Sequence, residues 1–263
     1  GPFAVIGAGV QIGKGTSVGP HAVIRGETRI GRDNRIFQFA SIGEDPQDMK
    51  YAGEASRLEI GDRNQIREFT TIHRGTKQDE GVTRIGDDNW LMAYVHVAHD
   101  CQVGDRVILT NNVLLAGVVT VGDGANVGGA AVVHQFCRIG TLAMVGGQAH
   151  VTRDVPPFVT LDGLSSLVVG LNQIGLRRAG YDAAAVQQLK AAYRVIYRSG
   201  LTWAEVLDRL KTEFPSGPAA ASRKAASMSS LVIGFSSSKV TSVSEPSGTV
   251  NPMTSSTSTS IQP

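Results

Sequence analysis

His99, Gly117 and Gln135 stand at successive intervals of 18 residues. A base, a residue without a side chain and an amide would suit acyl transfer if they shared one face. A neutral imidazole can take the proton from an attacking hydroxyl, an effect of about 10²–10⁴ in rate. The Gly117 N–H could meet a carbonyl oxygen as negative charge develops on it, with no side chain in the way. Asp100 follows His99 and could hold the imidazole by its second nitrogen, as a base and its orienting acid do. Neighbours on a straight strand face opposite ways, so that pairing requires a corner between them. His73, His96 and His134 fall in the same middle region, whereas His21 and His150 read as surface or corner positions. His73, His96 and His99 are also the candidates for a metal site with three protein ligands and an open position. They follow no clear three-histidine spacing, and the reading adopted is metal-free and without cofactor.

Residues 18 apart come together only if the chain coils with that length, and the repeat supplies the coil. From Ile85 to Val151 every sixth residue is aliphatic: Ile85, Leu91, Val97, Val103, Leu109, Leu115, Val121, Val127, Val133, Ile139, Val145 and Val151. Four residues after each comes a second position, mostly small, that suits a tight corner, from Asn89 through Cys101 and Ala131 to Val155. A period of six is neither helical nor that of a flat strand; it is the hexapeptide repeat of a parallel β-helix, a three-sided prism. Three hexads make a coil of 18, and stacked residues lie about 4.8 Å apart. The chain is therefore expected to be mainly β. The repeat is present from the start (Ile12-Gly13, Val18-Gly19, Ile30-Gly31, Ile42-Gly43) and breaks twice, at Glu44–Arg57 and Lys77–Thr83. Loops that leave a rigid solenoid are where binding groups tend to sit.

Residues 1–157 are expected to form the β-helix, with Pro156-Pro157 ending its sheet because proline cannot donate to a ladder. Residues 158–214 are expected to be a helical domain. One helix lies within 161–179, a second runs from Ala183 to Arg198 behind Asp182, and a third opens on the Thr202/Glu205 capping box. Residues 215–263, rich in Ser, Thr, Pro and Ala, read as a disordered tail. A net charge of +2 over 263 residues gives no general pull toward nucleic acid or membrane. Cys101 and Cys137 fall two coils apart, about 9–10 Å, too far for a disulfide. Free thiols, with neither a signal peptide nor a membrane span in the sequence, fit a cytoplasmic protein. The chain opens on Gly1 in mid-repeat without a Met, which fits a missing leading segment and leaves a lost signal open.

Several blocks carry a resemblance: His73-Arg74-Gly75-Thr76, His96-Val97-Ala98-His99-Asp100-Cys101, Asn111-Asn112, Leu115-Ala116-Gly117 and His134-Gln135-Phe136-Cys137. With Gln47-Asp48-Met49-Lys50-Tyr51-Ala52-Gly53 and Ile196-Tyr197-Arg198-Ser199-Gly200, they resemble the UDP-N-acetylglucosamine O-acyltransferases, enzymes of the first step of lipid A synthesis. The resemblance spans Gly1 to about Phe214. It implies a left-handed parallel β-helix with a C-terminal α-helical domain, an exception to the right-handed crossover that parallel strands ordinarily take. It also implies a homotrimer with sites between subunits. The activity implied is metal-free transfer of a (R)-3-hydroxyacyl group from acyl carrier protein to the 3-OH of UDP-N-acetylglucosamine. Carried over residue by residue, His99 matches the general base, Asp100 its neighbouring acid and Gly117 the oxyanion glycine. Gln47, Asp48 and Lys50 match the sugar-binding loop, and His73, His96, His134 and Gln135 the cleft lining. Asn172 and Arg178 match groups near the nucleotide, and Gly147 matches the position that gauges acyl length, open here to a longer chain.

The chain departs from the family pattern at Val118, where a histidine is usual, and at Ala179, where a basic residue often stands. The first departure implies reduced or altered activity, the second weaker nucleotide binding. The residues from Ser216 do not resemble the family's helical end. Two other functions stay open on sequence alone: metal-dependent hydration, as in β-helical carbonic anhydrases, and a scaffold that binds sugar nucleotide or acyl carrier without turnover.

Overall fold

The computed structural model describes residues 1–219. Short strands, commonly of two residues, recur along the described residues and sort into three sheets of eight, seven and nine strands. The first face begins at Val5–Ile6, the second at Gln11–Ile12 and the third at Ser17–Val18. Pairing between successive coils is parallel, and in the uninterrupted region partners are one 18-residue coil apart. On the first face His96 pairs with Leu114, Leu114 with Val132, and Val132 with His150. The coil length inferred from the repeat is the observed register.

Each hexad turns two residues inward. All twelve aliphatic positions from Ile85 to Val151 are buried, and so is the whole second series from Asn89 to Val155. That second position lines the inside of each corner, which explains its preference for Val, Ala and Cys: the prism is narrow there. Between the two inward residues the chain turns through the left-handed region. Tyr94, Asp100, Arg106, Asn112 and Val118 have φ between 54° and 64° and mark successive corners. Corner N–H groups that the strands leave out are met by internal side chains. Asn64 donates its backbone N–H to Asn34 Oδ1 at 2.8 Å, and Asn89 donates to Asn64 Oδ1 at 2.9 Å. Val107 N–H reaches Asn89 Oδ1 at 2.7 Å. A second ladder runs along the same edge, where Asp62, Asp87, Asp105 and Asp123 carboxylates each accept a backbone N–H from the coil before. Buried backbone donors left unpaired would each cost about 1–3 kcal/mol, so these side chains fix the coil spacing.

The two interruptions occur where expected. Across them Ser41 pairs with Thr71 and Thr71 with His96, so these coils are longer than 18 residues. The prolines behave differently from the expectation. The sheet continues beyond them: Val159–Leu161 pairs in parallel with Met144–Val145 and antiparallel with Val168–Leu171. Pro156 and Pro157 occupy the turn after the Val155 bridge, so the missing N–H groups fall outside the ladder.

Three helices are defined after the last strand among the described residues. Helix α1, Gln173–Arg178, is capped by Asn172. Helix α2, Ala183–Arg198, is capped by Asp182, whose Oδ1 accepts from Ala185 N–H at 2.7 Å. Helix α3, Trp203–Glu213, opens on the Thr202/Glu205 capping box. Val186 and Leu189 of α2 pack with Leu176 of α1 and Phe158, which closes the end of the prism. Among the described residues no helix is long and apolar enough to cross a membrane. Of the segment read as a tail, residues 220–263 lie outside the described residues.

Candidate active site

The corner between the first and second faces carries the chemistry. Asp100 has φ +59°, so the chain turns sharply between His99 and its neighbour. This is the corner that the His99–Asp100 pairing requires, and His99 Nδ1 lies 2.9 Å from Asp100 Oδ2. The Asp100 side chain is fully buried. Thr76 donates its backbone N–H to both carboxylate oxygens at 3.0 Å and its hydroxyl to Oδ2 at 2.7 Å. Burial alone would raise the Asp100 pKa; the bonds from His99 and Thr76 outweigh it and hold the carboxyl below its ordinary value. Conversely, the hydrogen bond to Asp100 raises His99 above the ordinary imidazole value against partial burial, and the charges of Asp100, Asp48 and Asp79 add to it. An imidazole bonded to a carboxylate through Nδ1–H presents the bare Nε2 lone pair outward.

Gly117 stacks directly over this imidazole. A Cβ built at Gly117 would come within 2.5 Å of His99 Cε1 and Nε2. Neighbouring N–H groups are engaged, Ala116 with Val133 and Val118 with His99, whereas Gly117 N–H donates to no acceptor among the described residues. At Gly117 no side chain stands beside that N–H.

His73 and His96 continue the site toward the first excursion, their rings in an edge-on contact at 5.2 Å. His96 Nδ1 meets Thr71 Oγ1 at 2.7 Å, and burial, with the neighbouring histidines, pushes its pKa down to about 4. Burial likewise lowers His73, whose Nδ1 is buried without a partner. Both rings are therefore neutral at pH 7. His73, His96 and His99 do not converge as a metal site: no cluster of three or more His, Cys, Asp or Glu side chains placed to hold an ion occurs among the described residues.

Asp48 is half-buried in a turn, its Oδ1 accepting from Lys50 N–H at 3.0 Å, and its charge is felt at His99. Gln47 and Lys50 are exposed beside it, as are His134 and Gln135 farther along the edge. Phe136 N–H bonds Gly117 O, which ties the Gln135 corner to the column. Gly147 lies on a different edge, against Gly129 and Gly163. Asn172 caps α1 and donates to Leu142 O at 2.9 Å, while Arg178 is exposed at the end of that helix. Within one chain these three residues make no contact with the His99 group among the described residues. Sequence reasoning missed Thr76 as the donor that fixes Asp100, and Thr83, whose Oγ1 accepts the Asp100 N–H at 2.8 Å. Both flank the second excursion, where the 18-residue ruler fails.

Val118 also has a structural consequence. It has φ +62° and is the only β-branched residue in the left-handed region among the described residues. A left-handed conformation costs roughly 1–2 kcal/mol for an ordinary side chain, and β-branching adds to it. Val118→Asn, the residue type at the preceding corner of the repeat, is expected to raise the melting temperature by about 2–4 °C. A scanning-calorimetry midpoint equal to or below that of the parent would refute the strain argument.

A three-sided coil of hexapeptides bearing a carboxylate-backed histidine at one corner defines a hexapeptide-repeat transferase. Residues 83–117 match the family described as bacterial transferase hexapeptide, and residues 154–229 match UDP-N-acetylglucosamine O-acyltransferase domain 2. The acyl-[acyl-carrier-protein]--UDP-N-acetylglucosamine O-acyltransferase of Herminiimonas arsenicoxydans is 54% identical over 81% of this chain and 86% of its own length. That of Thiobacillus denitrificans is 56% identical, over 81% and 89%. Among solved structures, LpxA from Acinetobacter baumannii superposes with a TM-score of 0.81 at 44% identity, over 89% of this chain and 96% of its own. The chain belongs to the UDP-N-acetylglucosamine O-acyltransferase family, and its fold is the left-handed parallel β-helix with C-terminal helices.

Proposed function

We propose that the chain transfers a (R)-3-hydroxyacyl group from acyl carrier protein to the 3-OH of UDP-N-acetylglucosamine, the first step of lipid A biosynthesis. The observation that carries this is the His99 imidazole, bonded to buried Asp100 and stacked against the open N–H of Gly117. His99 Nε2 takes the proton of the sugar hydroxyl as its oxygen attacks the thioester carbon. The carbonyl oxygen becomes an oxyanion and accepts the Gly117 N–H. When the intermediate collapses, the C–S bond breaks and His99 returns its proton to the departing thiolate. Binding falls to the Gln47, Asp48 and Lys50 loop and to the cleft of His73, His96, His134 and Gln135. Two neutral imidazoles, His73 buried and His96 half-buried, can serve there as hydrogen-bonding groups without competing for the proton.

Asn172, Arg178 and Gly147 contact neither this cleft nor one another in a single chain. We place them in it through a homotrimer in which sites form between subunits, with Asn172 and Arg178 at the nucleotide and Gly147 at the end of the acyl groove. A cytoplasmic location suits the free, buried Cys101 and Cys137. The deciding assay mixes purified protein with UDP-N-acetylglucosamine and hydroxyacyl carrier proteins of several lengths. Acylated sugar nucleotide is the expected product, and binding without product would leave a scaffold instead.

The pH profile tests the base. His99 must be neutral to act, and its pKa is raised, so kcat/KM should fall on the acid side with a limb above the ordinary imidazole value. Asp100→Asn removes the main cause of the raised value. The limb should then move to lower pH while the plateau falls by about 10²–10⁴, as for other orienting acids. A limb that stays in place would assign it to another group.

A further inference from the structure

The sugar-binding loop leaves the coil after Ser41–Glu44 and returns at Arg57–Ile60. Its inner contacts are few: Tyr51 N–H bonds Asp48 O at 3.0 Å, and Ala52 N–H meets Glu54 Oε2 at 2.8 Å. The coil reaches across to it chiefly through one side chain. Arg74 directly follows the strand Thr71–His73, whose register shifts between Ile72 and His73 at the point where the loop departs. Its guanidinium donates to Gly43 O at 2.6 Å, to Asp45 Oδ1, and to Tyr51 Oη at 3.0 Å. The Tyr51 hydroxyl in turn donates to Glu54 O at 3.3 Å. Arg74 thus joins the outgoing limb of the loop to the turn that carries Asp48 and Lys50, and only 11% of its side chain is exposed.

The coil beneath makes room for this. A Cβ at Gly26 would lie 2.1 Å from Arg74 Nη1 and 2.7 Å from Cδ and Cζ. Arg74 is also fixed relative to the chemistry, because the strand it follows pairs directly with His96–Val97, two residues before His99. A planar fork with donors on several edges can hold a carbonyl, a carboxylate and a phenol at once; an ammonium cannot span them.

We propose that Arg74 is a positioning residue for the sugar nucleotide: it clamps the Gly43–Tyr51 limb so that Asp48 and Lys50 face the His99 corner before substrate arrives. The inference rests on reading this loop as the sugar-binding loop. Loss of the clamp leaves the loop tethered at both ends but free to sample other positions, so the sugar nucleotide must order it on binding.

The test is a KM-against-kcat split in the full chain. Arg74→Met keeps the stem and removes the donors. Asp45 is largely exposed, so no buried charge is stranded and the coil should still fold. The KM for UDP-N-acetylglucosamine is expected to rise about 10-fold or more, with kcat within about 3-fold and the KM for the acyl carrier unchanged. Tryptic cleavage after exposed Lys50, followed by mass spectrometry, should accelerate in the same variant. An unchanged sugar-nucleotide KM, or equal rises for both substrates, overturns the clamp whatever the proteolysis shows. Asp48→Ala separates this from the underlying reading. If that variant leaves the sugar-nucleotide KM unchanged, the loop is not the sugar-binding loop; if it raises KM and Arg74→Met does not, only the clamp fails. Should Arg74→Met not fold, Tyr51→Phe decides: about a 3-fold rise in the same KM supports the clamp, and no rise overturns it.

Discussion

His99→Ala is expected to lower turnover by about 10²–10⁴, the range for loss of a positioned general base, while the protein folds as before. The fold should tolerate it because Asp100 does not depend on His99 alone. Thr76 still supplies a hydroxyl and a backbone N–H to the buried carboxylate, so both of its oxygens keep a hydrogen-bond donor. The imidazole is partly exposed and fills no part of the hydrophobic core. Single-turnover measurements with acyl carrier protein and UDP-N-acetylglucosamine should show the loss in the chemical step, with circular dichroism and the melting midpoint little changed. The acid limb of the pH profile should vanish with it. Near-normal turnover in this variant would move the base elsewhere, with His73 and His96 the nearest alternatives. Burial lowers the pKa of both, which makes them weaker bases than His99.

The contrast between those three histidines shows what could be read from the sequence. A strict period of six identifies which residues fill the prism, because a narrow coil tolerates only aliphatic and small side chains inside. The same period gives a coil of 18, and the ruler places Gly117 over His99 with no structure in hand. It works from Ile85 to Val151, where strand partners are 18 residues apart. Upstream the coils that hold Thr71 and Ser41 are lengthened by excursions, and the ruler loses its phase. Thr76, Arg74 and His73 all lie in that region. Nothing in their spacing says that Thr76 meets Asp100, that Arg74 crosses to Tyr51, or that His73 is buried with a nitrogen unpartnered. Those contacts depend on how loops fold back on the coil. The paired prolines misled for a related reason: a proline ends a ladder only if its N–H position belongs to the ladder, and Pro156 and Pro157 lie in a turn.

Gly117→Ala is the sharper of the two large effects, because it adds a single methyl group. Gly117 is not in the left-handed region, so alanine fits its backbone without strain. The obstacle is the site itself: the new Cβ would lie 2.5 Å from His99 Cε1 and Nε2 and 3.1 Å from Nδ1. The ring must rotate away or the corner must shift, and either movement works against the His99–Asp100 bond at 2.9 Å. The methyl group would also stand beside the Gly117 N–H, which donates to no acceptor among the described residues. Base and oxyanion donor are thus disturbed together. A fall in kcat of about 10²–10³ is expected, comparable to loss of one oxyanion-hole donor, with a melting temperature close to that of the parent. Rapid-quench measurement of acyl transfer checks the first, and calorimetry the second. If kcat held while KM rose, Gly117 would serve only to make room for substrate, and the oxyanion would need another donor. If instead kcat fell and the acid limb moved toward the ordinary imidazole value, the displaced ring would account for part of the loss, since His99 owes its raised pKa first to the Asp100 bond.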